Sequence, residues 1–297
     1  MSSFDLFFTV IIPATLILIM VGMGMSLTPS SFAVLARRPK PVLLGLLGQM
    51  LLLPLIALAI LSLVTVPDHV ALGLLLLSAC PGGVTSNAVS FAAKADVALS
   101  VGLTAMNSLL IVVTMPLILG LAPSLLSLQE LAAFSLPVGL LIKQLMMLCV
   151  VPVAVGMLVR GYFPAFAIGM EGKMRIAAAV AMAFVLTGYL VSERALLLQN
   201  LTSMGVLVIG FMLTVMAAGW LLGTLGRLGR QQRTTIIIEV GLQNTSVAVF
   251  VATVVLENQA IGMLPATYGA LMMFVVGAFA LVNAKLGKKV AGAQVSA

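Results

Sequence analysis

The chain has 297 residues, of which 62% are apolar and 8% are charged. Ordinary soluble domains carry roughly 25% charged residues, so a soluble enzyme, a disordered tail and a disulfide-stapled secreted domain are excluded. Apolar runs longer than about eighteen residues exclude an outer-membrane barrel, whose strands alternate polar and apolar residues, and leave a polytopic helical membrane protein.

The spans read in chain order. Helix one covers 5–27 and helix two 41–64. Helix three runs over 69–93 and is interrupted at Pro81-Gly82-Gly83. Helix four covers 97–121, helix five 134–159, helix six 174–191 and helix seven 203–225. Helix eight runs over 232–256 and helix nine over 261–284. The connections 122–133 and 160–173 are the longest, so no soluble domain is expected. Helix one has no basic leader and no small-residue cleavage site, and reads as a retained span rather than a signal peptide.

Charge tests this count of about nine spans. Thirteen of the 15 Lys and Arg follow helices one, three, five, seven and nine; Arg194 alone lies on the other side and Lys143 lies inside helix five. The positive-inside rule then places the C-terminus in the cytoplasm and the N-terminus outside, in an inner or plasma membrane. The net charge of +7 is explained by this topology, and no nucleic-acid partner is implied. Cys80 and Cys149 lie in apolar stretches and do not read as a disulfide.

Polar residues inside apolar spans carry the functional argument. In lipid every backbone donor and acceptor must be satisfied within the protein. The run Cys80-Pro81-Gly82-Gly83-Val84-Thr85-Ser86-Asn87 should split helix three. Glu239-Val240-Gly241-Leu242-Gln243-Asn244-Thr245 should split helix eight. A single Pro or Gly in a membrane helix is usually a kink. Two breaks in separate halves of the chain, each beside a polar cluster, point to the discontinuous helices of a transporter.

Glu239 is the sole carboxylate well inside a span. It must be protonated, paired or beside water; an ion pair with Lys143 is the bland alternative to an ion-binding role. Ser100, Thr104, Asn107 and Ser108 form one polar stripe on helix four, for which interhelical packing is the alternative. Gln49, the amide of helix two, taken alone reads as a packing residue. These groups offer oxygen, which suits hard cations. His69, beside Asp68 at a membrane edge, reads as a surface residue, and the methionines as packing.

Together Cys80-Pro81-Gly82-Gly83, Ser86-Asn87, Ala98-Leu99-Ser100 with Thr104, and Glu239-Val240-Gly241-Leu242-Gln243-Asn244 resemble the bile acid:sodium symporter family, over about 22–285. The resemblance implies inverted repeats, about 5–122 and 134–285, within a single transporter domain. It implies a core of helices over 41–122 and 203–285, and a panel over 5–27 and 134–191. The two broken helices should cross near the bilayer midplane. Bacterial members often have ten helices, and this chain looks to lack the first.

The resemblance also implies two Na+ as coupling ions and no other cofactor. One site would comprise Ser86, Asn87, Ser100, Thr104 and Glu239. The other would comprise Gln49, Glu239, Gln243 and the main-chain carbonyls of Val240 and Leu242. A small organic anion, such as pantoate, a 2-keto acid or a bile-acid-like compound, would bind near Thr85, Asn87, Asn244 and Thr245. Val84-Thr85 and Thr245-Ser246 depart from the residues of relatives at these turns. The expected function is sodium-coupled import of the anion by alternating access, without catalysis and without an obligate protein partner. The rivals are a metalloid or proton-coupled efflux carrier, for which Cys80 would be the soft ligand, and a non-transporting receptor or scaffold.

Overall fold

A chain this apolar satisfies its backbone most cheaply by closing hydrogen bonds within helices. The computed structural model describes residues 10–28, 37–83, 85–126, 136–192 and 194–295, and it is helical almost throughout. In chain order the elements are α1 (Ile12–Ser26), α2 (Pro39–Leu63), α3a (Asp68–Ser78), α3b (Thr85–Ala92), α4 (Val97–Leu126) and α5 (Val138–Tyr162). They continue as α6 (Pro164–Ser192), α7 (Arg194–Leu225), α8a (Arg230–Gly241), α8b (Thr245–Val255) and α9 (Gln259–Val295).

Among the described residues, five stretches are long and apolar enough to cross a membrane: Pro39–Leu63, Val97–Leu121, Val138–Tyr162, Met204–Leu225 and Gln259–Lys285. At 22 to 27 residues and about 1.5 Å per residue, each exceeds the hydrocarbon thickness of about 30 Å. α3a has 11 residues and α8a has 12, each about half that depth. The expected start of helix one at residue 5, that of helix five at residue 134, and Val84 lie outside the described residues.

Two expected connections are corrected. Residues 160–173 are not a loop, because α5 runs to Tyr162 and α6 starts at Pro164. The chain turns over Phe163, whose N–H closes on Val159 O at 2.8 Å. Proline at a helix's first position has no donor to lose and a backbone already set for the helix. α7 likewise begins at Arg194 rather than at 203, and α4 continues past 121 to Leu126.

Burial separates the central helices from the lipid-facing ones. Every residue from Val70 to Gly83 and from Thr234 to Ala252 is buried. α4 has two faces: Leu109, Val113, Leu117 and Leu121 are exposed, whereas Ser100, Thr104, Asn107 and Ser108 are buried. In a lipid solvent this polarity is the right way round, with leucines outward and hydroxyls inward. α1 packs on α5 and α6. The α1–α5 crossing is set by Gly24 and Gly156, where a Cβ on Gly24 would lie 2.2 Å from Val153 O; only a missing side chain lets the backbones approach this closely.

A polar brace joins one end of the central helices. Asp96 accepts from Leu99 N at 3.1 Å, capping the start of α4, and pairs with Arg38 at 3.2 Å. Its carbonyl accepts from Thr235 Oγ1 at 3.0 Å. Asn283 on α9 donates to Ala93 O at 3.2 Å. Lys94 and Arg227 end α3b and α7 with φ of 55° and 51°, which places a cation at each helix C-terminus.

Candidate functional site: an oxygen cage where two broken helices cross

Proline at 81 gives no donor to the ladder of α3a, and the chain leaves the helix as an extended segment. α8a ends at Gly241 in the same way, with Leu242 in an extended conformation. The two segments run antiparallel and pair through Gly82 and Gln243. Gly83 N donates to Leu242 O at 3.0 Å, and Asn244 N donates to Pro81 O at 2.9 Å.

The other carbonyls released by the breaks are met by side chains. Gln49 Nε2 donates to Cys80 O at 2.9 Å. Gln243 Nε2 donates to Val240 O at 2.9 Å, and Tyr268 OH to Gly241 O at 2.8 Å. α8b is capped by Asn244 Oδ1, which accepts from Val247 N at 3.3 Å. Each interruption is therefore a built feature, with few backbone groups left to solvate.

Glu239 lies within the last turn of α8a, 1% exposed. Its Oε1 accepts from Ser86 at the start of α3b and from Ser100 on α4; its Oε2 accepts from Thr104 Oγ1 at 3.0 Å. Ser100 Oγ also lies 2.9 Å from Asn87 Oδ1 and has one proton to give. Ser86, Asn87, Ser100, Thr104 and Glu239 are thus one contiguous cluster drawn from α3b, α4 and α8a.

The second expected set is also brought together, in part. Gln49 Nε2 donates to Gln243 Oε1 at 2.7 Å, and Gln243 reaches Val240 O. Leu242 O is occupied by Gly83 N. The carboxylate of Glu239 is engaged on the hydroxyl side, and among the described residues no hydrogen bond joins it to Gln49 or Gln243. Both sets converge on the same crossing.

The electrostatics are one-sided. An ion pair joins Arg38 and Asp96, and among the described residues no basic side chain pairs with Glu239. Lys143 is exposed on α5, so the alternative pairing with Glu239 is not formed. A buried carboxylate without a basic partner is costly. A cage with one carboxylate and otherwise neutral oxygens fits a hard cation of low charge. Among the described residues no three His, Cys, Asp or Glu side chains gather to hold a metal ion.

The residues expected to meet an organic anion flank the crossing. Thr85 Oγ1 and Thr245 Oγ1 are buried without a partner, and so is Ser246 Oγ, which the sequence reading noted only as a departure from relatives. Asn87 and Asn244 already have a partner each through their side-chain oxygens. Cys80, just past the end of α3a, donates its thiol back to Leu76 O of that helix at 3.3 Å. His69 is half-buried in the first turn of α3a, deeper than the surface position expected, and its Nε2 has no partner.

Three contributors escaped the sequence reading. Tyr268 satisfies the carbonyl freed by the second break, and a tyrosine in an apolar span signals such a need, because its hydroxyl seeks a partner when buried. Ser90 donates to Ser100 Oγ at 3.2 Å. Gly82 gives the carboxylate its room, which no periodicity reveals.

Comparisons with known proteins show the family. The model of the sodium bile acid symporter family matches residues 13–218, a stretch that includes the first break and α4 and ends before α8a. An uncharacterised sodium-dependent transporter, YocS, of Bacillus subtilis is 28% identical over 242 residues, covering 80% of this chain and 71% of the relative. The probable chloroplastic sodium/metabolite cotransporter BASS1 of Arabidopsis thaliana is 32% identical, over 79% of this chain and 57% of that protein. The human sodium/bile acid cotransporter 4 is 28% identical, over 94% of this chain and 64% of that protein. The chain thus spans a little over half of the plant relative and slightly under two thirds of the human one. An all-helical multi-pass membrane protein with two broken helices crossing at a buried carboxylate, this chain belongs to the sodium bile acid symporter family, a family of sodium-dependent transporters.

Proposed function

We propose that this protein is a symporter that imports a small organic anion with two Na+ by alternating access. The observation that carries the proposal is Glu239, a buried carboxylate with three hydroxyls from two other helices and no basic partner among the described residues. The first Na+ takes oxygens from Ser86, Asn87, Ser100, Thr104 and Glu239. The second takes Gln49, Gln243, Glu239 and the carbonyls of Val240 and Leu242. The substrate carboxylate lies against Thr85 and Thr245, whose hydroxyls have no partner, beside Asn87 and Asn244.

Charge balance supports this stoichiometry. Two Na+, one ionised Glu239 and one monocarboxylate sum to zero, and a neutral loaded site crosses a low-dielectric region more cheaply than a charged one. Each entering Na+ also gains roughly 2.3 kcal/mol per 100 mV of membrane potential. We assign about nine spans to the chain, with the N-terminus outside and the C-terminus in the cytoplasm of a cell membrane. The panel is α1, α5 and α6, a division supported by the packing of α1 on the other two. Pantoate, 2-keto acids and bile-acid-like anions are the substrates to try first.

The test is uptake of radiolabelled pantoate, pyruvate and taurocholate into proteoliposomes under an inward Na+ gradient. Wild type should accumulate at least one of them in Na+ and not in K+. Glu239→Ala and Gln243→Ala should each abolish that uptake while reconstituting normally. Equal uptake by both variants in sodium-free buffer would overturn the proposal.

A further inference from the structure

Two buried amides on neighbouring helices lack hydrogen bonds that they could make. Gln49 on α2 is 3% exposed and Asn107 on α4 is 2% exposed. Gln49 Oε1 and both polar atoms of the Asn107 amide have no partner. Both side chains line one small cavity with Met50, Ala79, Cys80 and Pro81. It leaves about 10 Å³ for the centre of a water-sized sphere, which is room for one water.

The pattern of donors decides what this cavity does. Gln49 Nε2 spends its two hydrogens on Cys80 O and Gln243 Oε1. In this orientation Gln49 turns N–H groups to Gln243, and a cation between the two amides would meet hydrogen where it needs oxygen. Rotation of the Gln49 amide by a half-turn presents Oε1 beside both Gln243 Oε1 and Cys80 O, three oxygens that a cation among them would satisfy. The same rotation sends the amide nitrogen to the side that Oε1 now occupies, where the polar side chains that line the cavity are Asn107 and Thr114; Thr114 Oγ1 already donates to Leu110 O at 3.1 Å, whereas Asn107 is uncommitted. A single water there can accept from the turned Gln49 amide and donate to Asn107 Oδ1. Before the rotation it can donate to Gln49 Oε1 and accept from Asn107 Nδ2.

We propose that Asn107 is a positioning residue for the cation held by Gln49 and Gln243: through one water it secures the Gln49 amide in the rotated, oxygen-forward orientation. The inference rests on the reading of Gln49 and Gln243 as sodium ligands. Without Asn107 the turned amide would face Met50, Ala79, Ile118 and Thr114, whose hydroxyl proton is spent on Leu110 O, and the rotation would leave buried donors less well met. Sodium affinity should then fall while the sodium-free fold is kept.

The experiment is thermal unfolding of the purified full chain in detergent, titrated with NaCl against choline chloride at constant ionic strength. Wild type should show a sodium-specific rise in Tm. Asn107→Leu should raise the sodium midpoint about five- to tenfold, the equivalent of one lost hydrogen bond, without lowering the Tm in choline chloride. Asn107→Ser, which leaves a hydroxyl and room for a second water, should restore the midpoint to within about twofold. A structural role alone would shift Tm equally in both salts and leave the midpoint in place. Should Asn107→Leu fail to fold, Asn107→Ala is read by the same criterion. An unchanged midpoint in these variants, with a raised midpoint in Gln49→Ala, would overturn the role of Asn107 and leave the cation site standing. No sodium-specific rise in wild type would overturn both.

Discussion

Glu239 occupies the space that a side chain on Gly82 would need: a Cβ at position 82 would lie 2.5 Å from Oε2. The glycine belongs to the first broken helix and the carboxylate to the second, so each break is shaped for the other. Gly82→Ala should therefore push the carboxylate off Thr104 without adding any polar or charged group. Overpacking of this kind costs about 1–3 kcal/mol, and sodium-driven uptake should fall at least about tenfold. Uptake kinetics at graded NaCl, with membrane insertion checked by surface labelling, would show it; wild-type sodium dependence in this variant would contradict the arrangement.

Thr104→Val keeps the shape of the side chain and removes the hydroxyl that reaches Oε2. Hydrogen bonds to charged groups contribute about 1.5–3 kcal/mol, so the sodium midpoint for uptake should rise roughly tenfold or more. Ser108→Ala is the matched control on the same helix. Its hydroxyl bonds to its own helix at Thr104 O at 2.8 Å, and its sodium midpoint should stay within about twofold.

The proposed stoichiometry makes a prediction about voltage. Two Na+ with one monoanion carry one net positive charge inward per cycle. A potential of 100 mV, inside negative, then favours entry by roughly 2.3 kcal/mol per net charge. Proteoliposomes clamped inside-negative with valinomycin and a K+ gradient should accumulate more substrate than unclamped ones. Uptake indifferent to potential would indicate one Na+ per monoanion instead.

The contact of α1 with α5 should be intolerant of any side chain. Gly24→Ala would bring Cβ within 2.2 Å of Val153 O, and Gly156→Ala within 2.2 Å of Val21 O. Either should destabilise the protein by about 1–3 kcal/mol or more. Gly210→Ala on α7 has nothing within 4 Å of the added atom and should unfold like wild type. Fluorescence-detected size exclusion after heating would rank the three.

At the polar brace, cap and ion pair can be told apart. Asp96→Ala removes the cap of α4 as well as the partner of Arg38 and should cost about 0.5–2 kcal/mol. Arg38→Ala removes a pair whose basic side chain is 59% exposed and should cost less than about 1 kcal/mol. Thermal melts in detergent, repeated at high salt, would check the order.

Much of this site was legible in the sequence because lipid makes polar residues conspicuous. Pro81, Glu239, Gln243 and the hydroxyls of α4 stood out against apolar runs, and the structure gathers them. The connection at 160–173 was misread for the same reason. Arg160 and Lys173 look like loop residues, yet Arg160 lies in α5 and Lys173 in a helix that starts at Pro164. Which atoms meet was beyond periodicity. The Gln49–Gln243 bond joins positions 194 apart in sequence, and the room at Gly82 and the hydroxyl of Tyr268 acquire meaning only once the chain has crossed itself.

The paired backbone at Gly82 and Gln243 has a mechanical consequence. Residues from both halves of the chain hold the cage, and two main-chain hydrogen bonds rivet those halves together at that point. Prising the broken helices apart would strand those groups in a dry interior. The cheaper motion carries the rivet and its cargo through the protein undivided, while the lipid-facing contacts around it give way.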